Sequence, residues 1–527
     1  MNKKIIFYDS TLRDGAQAEG ISFSVRDKLN IVKTLDELGM DYIEAGNPFS
    51  NPKDIEFFNE IRNMKLRSKI VAFGSTRRKG ISAVDDKNIQ SLLDADVGTV
   101  AIFGKAWDLH VTEILKTTLQ ENLAMIADTV EYLKRKGKEV IFDAEHFFDG
   151  YKHNKEYAFQ TLLAAQEAGA DNICLCDTNG GCFPDEIADI VRKTTGILSV
   201  PVSVHVHDDG GMAVANSVTA VENGATGVQG TLLGFGERCG NANLATILAN
   251  LQLKKGYETS VNDNIKNLTT TCRKVAEISN IRLAKNMPYI GKSAFAHKAG
   301  MHIDGVRKSS ISFEHVSPES VGNSRRFLMS EVAGRATIIT KIQKFEPDMD
   351  KDSEAAAKII DKIKQLEFKG YQFEGAEASF ELLVLKQLEK YKPYFEIIKF
   401  KTIGEQSMKG DFSPASAVVK VAVNDQTEIT ADEGNGPVNA LDKALRKALE
   451  RFYPSLAEMR LSDYKVRILD SKDNTSAVTR VLIESTDGVD IWTTIGVSKD
   501  IIEASLIACV DAIEYKLIKD SRKMEKQ

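Results

Sequence analysis

Apolar and polar positions along the first 255 residues alternate between two periods. Short runs rich in Val, Ile and Phe occupy 4–9, 41–46, 69–74, 97–104, 139–146, 172–177, 200–208 and 227–236, and read as buried strands. Between them lie stretches with helical spacing. In 26–39, Leu29, Val32, Leu35 and Leu38 form one stripe, and Gly39 is placed as a C-terminal stop. Gly39-Met40-Asp41, Gly169-Ala170-Asp171 and Gly224-Ala225-Thr226 each lead straight into the next strand, as short helix-to-strand turns do. Eight strand–helix units in about 250 residues predict a closed (β/α)8 TIM barrel. Polar residues fall at the ends of many of these strands. Asp14 follows the first and Glu44 ends the second. Glu145 ends the fifth, Asp177 and Thr178 the sixth, His205 and His207 the seventh, and Asn241 follows the eighth. Strand ends converge at the mouth of a barrel but spread along a line in a doubly wound open sheet, so the barrel is preferred.

Beyond residue 256 the pattern changes. Residues from about 256 to 370 read as helices and loops, and from about 372 strands return, among them 416–423 and 464–469. The helical segments 438–452 and 501–518 follow strand groups at similar intervals, as in two related sheet-plus-helix units. The expected organisation is a barrel over 1–265, a mainly helical linker and accessory region over 266–372, and an α+β domain over 373–527.

Composition narrows the class. With 43% hydrophobic and 27% charged residues, a chain of 527 should be a soluble protein of several domains. The net charge of -6 gives no support to a nucleic-acid or anionic-membrane partner. No apolar run approaches the roughly 18 residues of a membrane span. The six cysteines are scattered singly apart from Cys174-Leu175-Cys176, with neither a zinc-type pair of pairs nor a disulfide framework. A reducing cytoplasm is expected, with Cys174 and Cys176 as buried small residues.

The chemistry centres on Val204-His205-Val206-His207-Asp208-Asp209-Gly210. Side chains on a strand alternate between faces, so His205 and His207 point the same way. A His-x-His strand alone is equally well a pair of hydrogen-bonded core histidines. Strands one and eight neighbour strand seven and each other in a closed barrel, however, and they bring Asp14 and Asn241. Two nitrogens and two oxygens suit Mg2+, Mn2+, Co2+ or Zn2+. Arg13 beside them is placed to steady an oxyanion or clamp a carboxylate, or to pair with Glu44 or Glu145. Glu145 is a candidate for acid/base or orienting work, whereas His146 faces the other way and reads as packing. The run 234–241 is glycine-rich, but it follows the eighth unit instead of opening a βαβ unit, so it reads as a tight turn presenting Asn241. Outside the barrel, 296–305 carries His297 and His302 on a glycine-bearing loop. It is either an exposed polar loop or a source of acid/base groups; Gly300 inside it and the missing central Glu reject a zinc-protease helix. Residues 433–438 precede a helix and read as a simple cap or an anion-binding turn.

Together, Asp9-Ser10-Thr11-Leu12-Arg13-Asp14-Gly15, the His205/His207 pair, 234–241 and 297–302 resemble the 2-isopropylmalate synthase/homocitrate synthase/citramalate synthase family of metal-dependent Claisen-condensing barrels. The resemblance covers nearly the whole chain, and 143–150 and 433–442 look most like its citramalate branch. It implies an acyltransferase that condenses acetyl-CoA with pyruvate and hydrolyses the thioester, opening a pyruvate route to isoleucine. A larger 2-oxo acid, giving 2-isopropylmalate or homocitrate, is the alternative, with Phe73, Phe103 and Asp143 as candidate pocket walls. A lyase of the hydroxymethylglutaryl-CoA type would be little more than the barrel, and a dead amino-acid sensor would not need the intact site. The resemblance assigns the metal to Asp14, His205, His207 and Asn241. It gives the substrate carboxylate to Thr178, the oxyanion to Arg13, acid/base work to His302, and to Glu145 the positioning of Arg13 or substrate. Two departures stand out. Ala16 replaces the Glu common after Arg-Asp-Gly, and Phe313 stands eleven places past His302, where relatives often have Tyr. The accessory region of the family reaches over a neighbouring barrel, which implies a homodimer. The C-terminal domain implies feedback, with isoleucine as the effector and Gly434, Asn435, Gly436 and Pro437 as part of its site.

Overall fold

The computed structural model describes residues 4–298, 300–328, 353–404, 414–469 and 477–524, together with 339, 342, 343, 346, 347, 349 and 350. Two compact units are present. One comprises Met1–Ala296 with Ser310–Arg326, the other His297–Ser309 with Phe327–Gln527.

The first unit contains eight parallel strands: β1 (Lys4–Asp9), β2 (Tyr42–Gly46), β3 (Lys69–Ser75), β4 (Thr99–Lys105), β5 (Glu139–Glu145), β6 (Asn172–Asp177), β7 (Val202–Val206) and β8 (Gly227–Gly230). Each pairs with the next, and β1 pairs with both β2 and β8, so the sheet closes. The closed barrel is the predicted one. Strands seven and eight are shorter than their sequence runs. After β7, His207 leaves the ladder to bridge Asn241, and after β8 the buried Leu232 and Leu233 continue the apolar signal through a turn.

Helices fill the connections as the apolar stripe dictates. Val25–Leu38 begins at Ser24, whose hydroxyl accepts from the Asp27 N–H while Asp27 returns a bond to the Ser24 N–H. It ends at Gly39, whose φ of 106° is open to glycine. Outward strand residues such as Val100, Ile102, Phe142, Leu175 and Val204 are buried against these helices. The inward ones form separate layers. Tyr8, Val71, Ala101 and Ile141 make an apolar floor inside the barrel. Above it the interior turns polar, with Glu44, Asp143, His205 and Gln229 all buried. Gln229 Nε2 donates across the barrel to Asp143 Oδ1 at 3.1 Å.

The second unit holds two three-stranded antiparallel sheets. Glu396–Ile403, Ala415–Val423 and Gln426–Gly434 are followed by the helix Pro437–Glu450. Arg460–Ile468, Thr479–Thr486 and Ile491–Ser498 are followed by the helix Ile501–Met524. This is the expected pair of sheet-plus-helix units. A helix, Glu377–Gln387, occupies the start of the region read as strand from residue 372. Its Ala378, Phe380, Leu382, Val384 and Leu385 are all buried, so its apolar positions show no single stripe. Among the described residues no helix is long and apolar enough to cross a membrane.

Candidate metal centre

Asp14, His205 and His207 meet at the barrel mouth. One donor atom from each falls within a 4.8 Å cluster, and all three residues are buried. The two imidazole Nε2 atoms face each other across 3.2 Å. Asp14 Oδ2 stands 3.8 Å from His205 Nε2 and 3.9 Å from His207 Nε2. Asn241 joins them by donating Nδ2 to Asp14 Oδ1 at 2.5 Å, while its own Oδ1 is buried with no hydrogen-bond partner.

The protonation states suit a cation. Burial alone would raise the Asp14 carboxyl, but Arg13, His205, His207 and Asn241 carry it well below the ordinary carboxylate range. Burial, then His207, lowers His205 to about 3, and burial also lowers His207. A carboxylate, two neutral imidazoles and an orphaned amide oxygen are the forms in which these groups bind a divalent metal, so the residues present fit one.

Gly236 explains the glycine run before Asn241. A Cβ there would lie 2.1 Å from Asn241 Nδ2 and 2.8 Å from Asp14 Oδ1. The backbone passes directly against these two groups and leaves no room for a side chain.

Arg13 is held as a fork. Nε donates to Glu44 Oε2 at 2.6 Å and Nη1 to Asp14 Oδ2 at 2.8 Å. Glu44 also accepts from Tyr8 Oη at 2.7 Å and Ser10 Oγ at 2.5 Å. Burial would lower the guanidinium pKa, but Glu44 and Asp14 more than compensate and hold it protonated. Among the described residues Nη2 donates to none, which leaves one prong of the fork for a ligand. The guanidinium lies 4.0 Å from the centre of the Phe73 ring, and Phe73 stacks on Phe103 at 5.4 Å. Of the predicted wall phenylalanines, Phe73 stands against Arg13 and Phe103 stacks on Phe73. Asp143, the third predicted wall residue, is raised to about 7 by burial and then by Glu44.

Other candidates are placed differently. Of the two predicted partners for Arg13, Glu44 takes the role, and Glu145 forms an ion pair with Lys105. Thr178 Oγ1 accepts from the His146 N–H at 2.9 Å, and its carbonyl accepts from Arg238 Nη2 at 2.7 Å. His146, expected to pack, does so against His110 at 4.3 Å between ring centres. It also has a φ of 57° and places Nδ1 3.1 Å from Asp149. His302 belongs to the second unit and is exposed on a helix, Gly300–Lys308, where a loop was expected. Ile303 and Val306, three apart, are buried on one side of that helix, and Asp304 pairs with Lys308 at 2.7 Å. Phe313 is 45% exposed. Residues 434–437 form the turn into Pro437–Glu450, with the Asn435 N–H donating to Asn439 Oδ1. Glu44 and Lys105 were not picked out as site residues from sequence. Glu44 showed itself as a strand-end acid and as one of two possible partners for Arg13, and Lys105 could be found only from the register that sets it opposite Glu145.

Residues 4–277 match the HMGL-like family, 289–370 the homocitrate synthase post-HMGL domain-like family, and 374–517 the LeuA allosteric (dimerisation) domain. The chain is 51% identical to an (R)-citramalate synthase of Aquifex aeolicus, covering 99% of each chain. It is 49% identical to one of Geobacter sulfurreducens, covering 97% of each. A probable 2-isopropylmalate synthase of Methanopyrus kandleri is 32% identical, over 97% of this chain and 98% of that one. With about half its residues shared with citramalate synthases along nearly their whole length, this chain belongs to the (R)-citramalate synthase family of metal-dependent condensing barrels.

Proposed function

We propose that this chain condenses acetyl-CoA with pyruvate to give citramalate and free CoA. The observation that carries the reading is the open Nη2 of Arg13, held beside Asp14, His205 and His207 and against a stacked phenylalanine wall. A guanidinium prong next to a cation site suits the carboxylate and keto oxygen of a 2-oxo acid. A wall of Phe73 stacked on Phe103 suits the short methyl of pyruvate, and the higher identity to citramalate synthases than to 2-isopropylmalate synthases supports the same choice.

A divalent ion (Mg2+, Mn2+, Co2+ or Zn2+) would be held by Asp14, His205, His207 and Asn241 and would supply Lewis-acid polarisation of the keto group. The chain's own residues do the rest. Arg13 clamps the 2-oxo acid and then neutralises the alkoxide that forms as the acetyl carbon bonds to the keto carbon. Thr178, its hydroxyl already accepting from the His146 N–H, can turn its proton toward the substrate carboxylate. Removal of a proton from the acetyl methyl group precedes the bond, and water then cleaves the thioester. His302 is our candidate for acid/base work, and Phe313 lacks the hydroxyl that would compete for it. A cavity of about 460 Å3 adjoins the wall, with Phe103, Ile114, Leu115 and Met125 lining it and Arg78 and Lys79 among its cations. That mixture supports a pantetheine arm ending in phosphates, as in acetyl-CoA.

His302 lies outside the barrel in sequence, and with the dimerisation domain this supports a homodimer whose accessory helix serves a neighbouring barrel. Isoleucine is our proposed feedback effector, and Gly434, Asn435, Gly436 and Pro437 part of its site. Six free cysteines support a reducing cytoplasm. CoA release measured with a panel of 2-oxo acids, with and without isoleucine or leucine, tests the reading. Pyruvate should be the preferred acceptor and isoleucine the inhibitor. A preference for 3-methyl-2-oxobutanoate would overturn it.

A further inference from the structure

Lys105 ends β4 and Glu145 ends β5, and the register pairs these two residues directly. Side chains at matched positions of neighbouring strands stand side by side on one face. Here the ammonium and carboxylate form an ion pair at the barrel mouth, with the side chains 17% and 24% exposed. The Lys105 ammonium also lies 5.6 Å from the centre of the Phe103 ring. Phe103 stacks on Phe73, and Phe73 carries the Arg13 guanidinium at 4.0 Å. Two cations thus flank one aromatic pair, and each has its own carboxylate, Glu44 for Arg13 and Glu145 for Lys105.

The separation of these two pairs matters because Arg13 has an unused donor. Asp143, on the same strand and face as Glu145, lies within electrostatic reach of both Arg13 and Glu145. For a Glu145 carboxylate without its lysine, Arg13 across the Phe73–Phe103 pair is a cation with a vacant prong, and a partly buried carboxylate turns toward such a cation instead of staying uncompensated. Such a bond would occupy the prong that the 2-oxo acid needs.

We propose that Lys105 is a positioning residue: its ammonium anchors Glu145 at the barrel mouth and keeps that carboxylate off the open nitrogen of Arg13. The inference rests on the reading above in which Arg13 meets a 2-oxo acid.

The test is a double-mutant cycle in the full-length, Mn2+-loaded enzyme. Lys105→Met, Lys105→Arg, Glu145→Gln and the Lys105→Met/Glu145→Gln pair are compared by CoA release, with Mn2+ affinity measured for each. Lys105→Met should lower kcat/KM for the 2-oxo acid by about tenfold or more, while Mn2+ affinity stays at its wild-type value. Lys105→Arg should stay within about threefold of wild type, because the charge is kept. The paired variant should be no worse than Glu145→Gln alone, because Lys105 acts only through that carboxylate. Wild-type kinetics in Lys105→Met would overturn the proposal, as would a further tenfold loss in the pair beyond Glu145→Gln. A wild type that prefers another 2-oxo acid overturns the citramalate reading alone, since the cycle is then read on that acid. A wild type inactive with every 2-oxo acid overturns both.

Discussion

The barrel and the first C-terminal sheet, within 396–434, use strands in opposite ways. Barrel strands are buried on both faces: helices cover the outside, and side chains fill the inside. Ala415–Val423 has one buried face, with Ala415, Ala417, Val419, Val421 and Val423 inward, and Val418 37% exposed on the other. The difference decides where chemistry can reside. A closed, doubly covered sheet can bury polar groups at its mouth and strip them of water, which strengthens every charge interaction there. A one-sided sheet leaves its outer face for association. Val418 and Ile429 of that first sheet are exposed apolar residues on such a face.

The comparison fails if the buried mouth tolerates change as the outer sheet faces do. The largest effect is expected at His207. His207→Ala removes a neutral imidazole from a buried cluster, and CoA release should fall about a hundredfold or more while the circular dichroism of the barrel is kept. Activity that survives both this change and chelation would refute the site. Gly236→Ala should approach the same loss, because the new methyl collides with Asn241 and Asp14; metal titration would show weakened binding. Glu44→Gln comes next. It leaves a buried guanidinium short of a counter-charge, a change that costs about 3–5 kcal/mol in buried pairs, and a thermal midpoint equal to wild type would show that the Arg13 fork is not held as described.

The outer sheet faces should behave otherwise. Val418→Asp with Ile429→Asp should shift self-association in sedimentation experiments and change stability by only about 0.5 kcal/mol per site. Equal loss of barrel activity at low and high protein concentration would blur the distinction. The smallest effect sharpens it through pH. Asp143 holds its proton to about 7 in the folded barrel, whereas an unfolded Asp releases it near 3.8. Between these values the unfolded chain binds fewer protons, so stability falls as pH rises through that window. Asp143→Asn should flatten that fall by one proton and leave the variant relatively more stable at pH 8. An unchanged slope in chemical denaturation across pH 4 to 7 would reject it. Asp9 and Glu514, also raised to about 7 mainly by burial, keep part of the slope in either case.

Local pattern carried much of this protein. Strand and helix periods, glycine stops and the count of eight follow from interactions between residues close in the chain, and they sufficed for a closed barrel. The facing of His205 and His207 needed only the two-residue repeat of a strand, and strand adjacency in a barrel then brought in Asn241 and also Asp14, which lies 191 residues before His205. The helix Glu377–Gln387 was not legible, since burial on nearly every side erases the stripe that marks a helix.

What the tertiary structure alone decided is how the charges are shared out. Arg13 had two acids within plausible reach, and sequence spacing does not choose between Glu44 and Glu145. The choice came from register: Lys105 stands opposite Glu145 and takes it, while Tyr8, Ser10 and Arg13 converge on Glu44. Periodicity tells which face a side chain occupies, because that depends on the chain's own geometry. Which partner it meets depends on the stagger between strands far apart in sequence, and that stagger is set only when the barrel closes.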